Sequence, residues 1–148
     1  MTTGAIVLVL ALAGALALGA YRGVVDGRFR GTHKVKGGPE SEEHPTGVLD
    51  GAAVAHELGE RATLLQFSSA FCAPCRATRR ILSDVAEVVP GVVHVEVDAE
   101  HHLDLVRRLG IVRTPTTLIL DADGRERQRA AGAPTKPQVL AALADIAD

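Results

Sequence analysis

From Thr2 to Tyr21 the chain carries no charged residue, and Ala5 to Leu18 is almost wholly aliphatic apart from Gly14. As a helix rising about 1.5 Å per residue, the apolar stretch from Gly4 to Tyr21 just spans a hydrocarbon layer of about 27–30 Å. An uncleaved transmembrane anchor over residues 4–21 is the expectation. A signal peptide would open with basic residues, and there are none before Arg22, although Leu18-Gly19-Ala20 would serve as a small-residue cleavage site. A buried core helix is the remaining alternative, and it would need a polar stripe that this stretch lacks. Arg22, Arg28, Arg30, Lys34 and Lys36 all follow the span, so the positive-inside rule puts what comes after it on the cytoplasmic face of the cell membrane.

Residues 22–48 read as a flexible linker. Gly23, Gly27, Gly31, Gly37, Gly38, Pro39 and Pro45 interrupt every periodicity, and Glu40-Ser41-Glu42-Glu43 is wholly polar. His33 and His44 within it are expected to be solvated rather than metal-bound.

A different pattern begins near residue 49 and continues to 148. Gly51 to Leu58 reads as a short helix, and Thr63 to Phe67 as a compact buried strand. Cys75, Thr78, Leu82, Val85 and Val89 recur at three-and-four spacing, which predicts an amphipathic helix from Cys72 to Val89, stopped by Pro90-Gly91. Val92 to Val97 is β-branched and reads as a strand, Leu103 to Leu109 as a helix, and Thr116 to Leu120 as a third strand. Asp121-Ala122-Asp123-Gly124 is a tight turn into a polar strand, Arg125 to Ala131, expected at a sheet edge. Thr135 to Ile146 closes the chain as a helix with Thr135 as N-cap and Leu140, Leu143 and Ile146 on its buried face. Such alternation predicts an α/β domain whose mixed sheet is flanked by helices.

Composition narrows the function. The formal net charge is −2 with no long basic run, which argues against nucleic acid as a partner. The two cysteines, three positions apart, cannot form a disulfide scaffold or a four-cysteine zinc site, and no metal or other cofactor is expected. His101-His102 has no accompanying ligand cluster and reads as surface.

The chemistry concentrates at Phe71-Cys72-Ala73-Pro74-Cys75, where a strand gives way to a helix. Free backbone N–H groups at a helix N-terminus favour a thiolate, which marks Cys72 as the attacking sulfur. Cys75 lies one turn further in, where it can attack a mixed disulfide formed on Cys72. Pro74 falls in the first turn, where a missing N–H costs nothing. The alternatives are a structural disulfide, disfavoured because so short a loop removes little entropy, and a pair of inert buried thiols. Thr114-Pro115-Thr116 directly precedes a strand, where Pro is tolerated. A cis bond there would present the Thr114 backbone beside the thiols, and an ordinary trans proline is the alternative. Arg76 and Arg113 could favour a nearby thiolate or steer an acidic partner, or be plain surface charges, as expected of Arg79.

Together, Cys72 to Cys75, Leu109 to Thr116, the Asp123-Gly124 turn and Gly132 resemble the thioredoxin family over roughly residues 50–148. The resemblance implies a thioredoxin-like fold, Cys72 as nucleophile, Cys75 as resolving thiol, and Pro115 as a cis proline bordering a substrate groove. Phe71, Ala73, Pro74 and Thr114 would then border substrate. Three positions depart from the family: Phe71 stands for a Trp, Gln66 for a buried Asp that helps deprotonate the resolving thiol, and His94 for a nearby Lys. Gln cannot act as a base, but a neutral His94 could take a proton from Cys75 through a water, so Gln66 and His94 form a possible proton relay. The expected activity is disulfide exchange with protein substrates, as a reductase served by a redox partner. The alternatives are a non-enzymatic thioredoxin-like binding module at the membrane, and an outward-facing oxidase, isomerase or cytochrome-maturation reductase.

Overall fold

The computed structural model describes residues 2–31 and 58–146. The first element, α1 (Thr2–Val25), is four residues longer at its end than the apolar pattern suggested. Leu8, Leu10, Leu12, Leu16 and Leu18 are all exposed on it, so it is not a core helix of this domain. The helix is long and apolar enough over Gly4–Val25 to cross a membrane. The expected tether does not start at residue 22 either, because Arg30–Gly31 forms a short strand, β1, paired with the domain. The rest of the linker, with His33 and His44, and the helix expected to begin at Gly51 lie outside the described residues up to Leu58.

The domain then follows the pattern of its hydrophobic positions: β2 (Ala62–Ser68), α2 (Ala73–Val88), β3 (Val92–Asp98), α3 (Leu103–Arg108), β4 (Thr116–Asp121), β5 (Glu126–Ala131) and α4 (Lys136–Ala144). The sheet order is β1-β5-β4-β2-β3, with β2 and β3 parallel and the other neighbours antiparallel. β2 is central and buried along its whole length, which explains its unbroken apolar run.

Period-two alternation sorts side chains to two faces. Leu65, Phe67, Val95, Val97, Leu118 and Leu120 pack with Leu105 of α3 and Ile111. Leu64, Val92 and Ile119 point the other way, onto Leu82 and Val85 of α2 and Val139 and Leu143 of α4. Each such large side chain contributes about 1.5–3 kcal/mol on burial.

Two expectations need correction. The buried stripe of α4 is Val139, Ala142 and Leu143, with Leu140 turned outward, because positions 139, 142, 143 and 146 follow helical spacing more closely than the stripe read from sequence. And β5 is not a free edge: Arg129 and Gln128 pair with Arg30 and Gly31.

Candidate active site

β2 ends at Ser68, and a short turn carries the chain into α2 with Cys72 as its N-cap. The N–H of Cys75 donates both to the Cys72 carbonyl, at 3.1 Å, and to Cys72 Sγ, at 3.2 Å. Pro74 sits in the first helical turn, as its missing donor permits. Cys72 and Cys75 are joined as a disulfide with Cα atoms 5.2 Å apart. Their exposures differ. Cys75 is buried, at 3% exposure, while Cys72 is half-buried and reachable, flanked by exposed Phe71, Ala73 and Pro74. Phe71 is 97% exposed, an apolar ring held in solvent directly before Cys72 in the chain.

The Thr114–Pro115 bond is cis. Ser69, the first residue past β2, hydrogen-bonds through Oγ to Thr114 Oγ1 at 3.1 Å, which ties this loop to the turn leading to Cys72. The Thr116 hydroxyl donates to the Arg113 carbonyl at 2.8 Å, and the Gly132 N–H donates to the Pro115 carbonyl at 2.8 Å. Pro115 is buried and Thr114 half-buried, while Val112 of the same loop stands out in solvent.

Gln66 and His94 do meet. Gln66 is fully buried, and its amide Nε2 donates to the Cys75 carbonyl at 3.0 Å. A carbonyl oxygen only accepts, so Gln66 Oε1 is the atom facing His94 Nε2, at 3.1 Å. That fixes the neutral tautomer: Nε2 carries the proton, and Nδ1 accepts from the Ser83 hydroxyl at 3.0 Å. Burial pushes the His94 pKa below its ordinary value; the charge of Glu96 opposes this and that of Arg79 adds to it. The chain Ser83–His94–Gln66 ends on the backbone of Cys75, so it fastens the first turn of α2 to the sheet.

A cavity of about 300 Å³ opens beside the disulfide, lined by both cysteines, Ser68, Arg79, Glu96 and Asp98 among others. The Glu96 carboxylate takes Arg79 Nε at 2.6 Å and Nη2 at 2.7 Å, and the Ser68 hydroxyl at 2.6 Å. Burial works against its ionisation, but the hydrogen bonds and charge of Arg79, with the Ser68 hydroxyl, outweigh it and hold Glu96 below the usual carboxylate range. The sequence reading missed Glu96 and Ser68 and put Arg79 on an exposed face. A signal was present: Gln66 and Ser68 on β2 and His94 and Glu96 on β3 sit at alternate positions, so both polar pairs face α2.

Among the remaining candidates, Arg113 pairs with Asp26 at 2.7 Å. His101 pairs with Asp98 at 2.9 Å, while His102 Nδ1 lies 3.0 Å from the Asp98 carbonyl oxygen. No group of three or more His, Cys, Asp or Glu side chains that could hold a metal occurs among the described residues.

The family description of a thioredoxin-like domain matches residues 50–147. The chain is 33% identical over 89 residues to a thioredoxin of Alicyclobacillus acidocaldarius, covering 60% of this chain and 84% of that one. It is 31% identical over 85 residues to a thioredoxin of Arabidopsis thaliana, covering 56% of this chain and 54% of the plant protein, about half its length. Among solved structures, thioredoxin f from spinach chloroplast aligns with a TM-score of 0.54 at 24% identity, covering 61% of this chain and 80% of that one. At that identity the likeness speaks for the fold.

Proposed function

Because the chain belongs to the thioredoxin-like family, we propose that it is a membrane-anchored thiol–disulfide oxidoreductase that reduces protein disulfides through Cys72 and Cys75. The observation that carries this is the cysteine pair at the N-terminus of α2, Cys72 half-buried and Cys75 buried, bonded to each other and tied through Ser69 to the Thr114–Pro115 loop.

In the reduced protein the Cys72 thiolate attacks one sulfur of a substrate disulfide, forming a mixed disulfide and releasing the other sulfur as a thiolate. The N–H of Cys75 faces Cys72 Sγ and stabilises negative charge there. Cys75, deprotonated, then attacks Cys72 Sγ and displaces the second substrate thiolate. Two electrons pass to the substrate, and the dithiol becomes the intramolecular disulfide. A dithiol reductase must return two electrons for the next cycle. Phe71, Val112, Ala73 and Pro74 supply the apolar border against which a polypeptide would lie, and the Thr114 backbone a place to pair.

The apolar α1, exposed from Gly4 to Val24, supports its role as anchor, and the five basic residues after the apolar run support a cytoplasmic domain. Turnover of insulin disulfides by the full chain in detergent, with dithiothreitol as reductant, tests the activity. Cys75→Ser should trap a mixed disulfide on Cys72. The reading fails if the wild type turns over no disulfide and Cys72 alkylates with an ordinary pKa near 8.5.

A further inference from the structure

The chain leaving α1 fastens at once to the substrate side of the domain. Asp26, one residue past the helix, still donates its N–H to the Arg22 carbonyl at 2.9 Å. Its carboxylate takes Arg113 Nη2 at 2.7 Å, and the same nitrogen donates to the Ala131 carbonyl at 2.7 Å. The Gly27 N–H donates to that carbonyl too, at 3.0 Å. Gly27 is buried at φ +77°, and any Cβ there would overlap the Ala133 carbonyl, so only glycine fits. Gly132 faces it at φ +103°, where a Cβ would come 3.0 Å from the Gly27 nitrogen. Beyond these, Phe29 packs on the Leu64–Ile119 cluster and β1 pairs with β5.

The same short stretch of the domain holds the groove loop. Arg113 lies two residues before cis Pro115, and Gly132 donates to the Pro115 carbonyl. The exit from α1 and the substrate loop therefore share one set of fastenings. The uncharged run Gly4–Tyr21 rises about 27 Å as a helix and already fills a hydrocarbon core of about 27–30 Å, which leaves Arg22 to Val25 at its edge. Val25 then reaches the headgroup layer, and one ion pair and two residues further is Pro115. Without the fastening, a flexible chain as long as residues 26–61 would let the domain range about 30–35 Å from the helix end.

We propose that this fastening holds the Thr114–Pro115 groove against the bilayer surface, so that the substrates are integral membrane proteins whose cysteines lie at the headgroup layer or a few residues beyond it. The proposal rests on the membrane-anchored oxidoreductase reading above.

Its test uses the full chain in lipid vesicles with two single-span peptide substrates, each carrying one disulfide, about 4 or about 40 residues beyond the span, with insulin as the soluble reference. The wild type should reduce the near disulfide at least about tenfold faster than the far one, from higher effective concentration. A Gly-Ser insertion of about 12 residues between Val25 and Asp26 leaves the latch intact but frees it from the helix. It should bring the ratio close to one and leave insulin turnover unchanged. Asp26→Arg should lower the ratio, and Arg113→Asp added to it should restore it. The proposal is overturned if the wild-type ratio is near one, or if the insertion and Asp26→Arg both leave it as found. Loss of the protein from vesicles in alkaline carbonate, or failure to reduce insulin, would instead remove the anchor or the oxidoreductase premise, and the proposal with it.

Discussion

Replacing Gln66 by Met removes an amide that no solvent reaches and keeps the side chain close to the same length and volume. Two hydrogen bonds go with it, one to the Cys75 carbonyl and one from His94. Neutral bonds of this kind contribute about 1 kcal/mol each net, so the direct loss is about 2 kcal/mol. The His94 N–H is left facing a thioether, but the ring is only half-buried and recovers part of its hydration, and the buried Met methyl offsets some of the rest. The expected destabilisation is about 2 kcal/mol, within about 1–3, or roughly 4–8 °C of melting temperature per kcal/mol for a domain of this size. Urea unfolding of the full chain in detergent, followed by circular dichroism, measures it. A cycle with His94→Leu isolates the shared bond: the double variant should cost about 1 kcal/mol less than the sum of the singles. Additivity within about 0.3 kcal/mol, or a Gln66→Met cost below about 0.5 kcal/mol, would refute the fastening inferred for the first turn of α2.

Thr78 and Thr117 are buried with hydroxyls that find no hydrogen-bond partner among the described residues, so Thr78→Val, nearly isosteric, should be neutral or stabilising by up to about 1 kcal/mol in the same assay. Phe71→Ser should leave stability within about 0.5 kcal/mol, because the ring is almost wholly exposed, while raising KM for a protein disulfide more than it lowers kcat. Since the folded-state pKa of His94 is lowered, the native protein binds fewer protons than the unfolded chain. Its contribution is complete above about pH 6.5 and lost as pH falls through the lowered value; His94→Gln should flatten that decline in urea midpoints. Glu96, also lowered, contributes above its ordinary carboxylate range and loses that contribution in more acid solution, a loss that Glu96→Gln should abolish.

Much of the fold can be read from local pattern. Seven successive elements from β2 to α4 lie close to where alternation, three-and-four spacing and the Pro90-Gly91 and Asp123-Gly124 breaks put them, because each is stabilised by one face buried against its neighbours. The cysteine pair is equally legible, since its bonding depends on three residues of spacing and the start of one helix. Arg30–Gly31 was not: two polar or small residues carry no periodic signal, and their partners lie about a hundred positions away on β5. The same holds for the ion pair of Asp26 with Arg113, the carboxylate of Glu96 beside the dithiol, and the choice of Cys75 as the partner of Gln66. From β2 to α4, sequence determined by itself which segments become helix or strand and which two cysteines come together, because those follow from short-range spacing and burial. Only the tertiary structure decided what surrounds the sulfurs and where the apolar helix joins the domain, because polar pairing across the sheet depends on register, which brings together residues that sequence keeps apart.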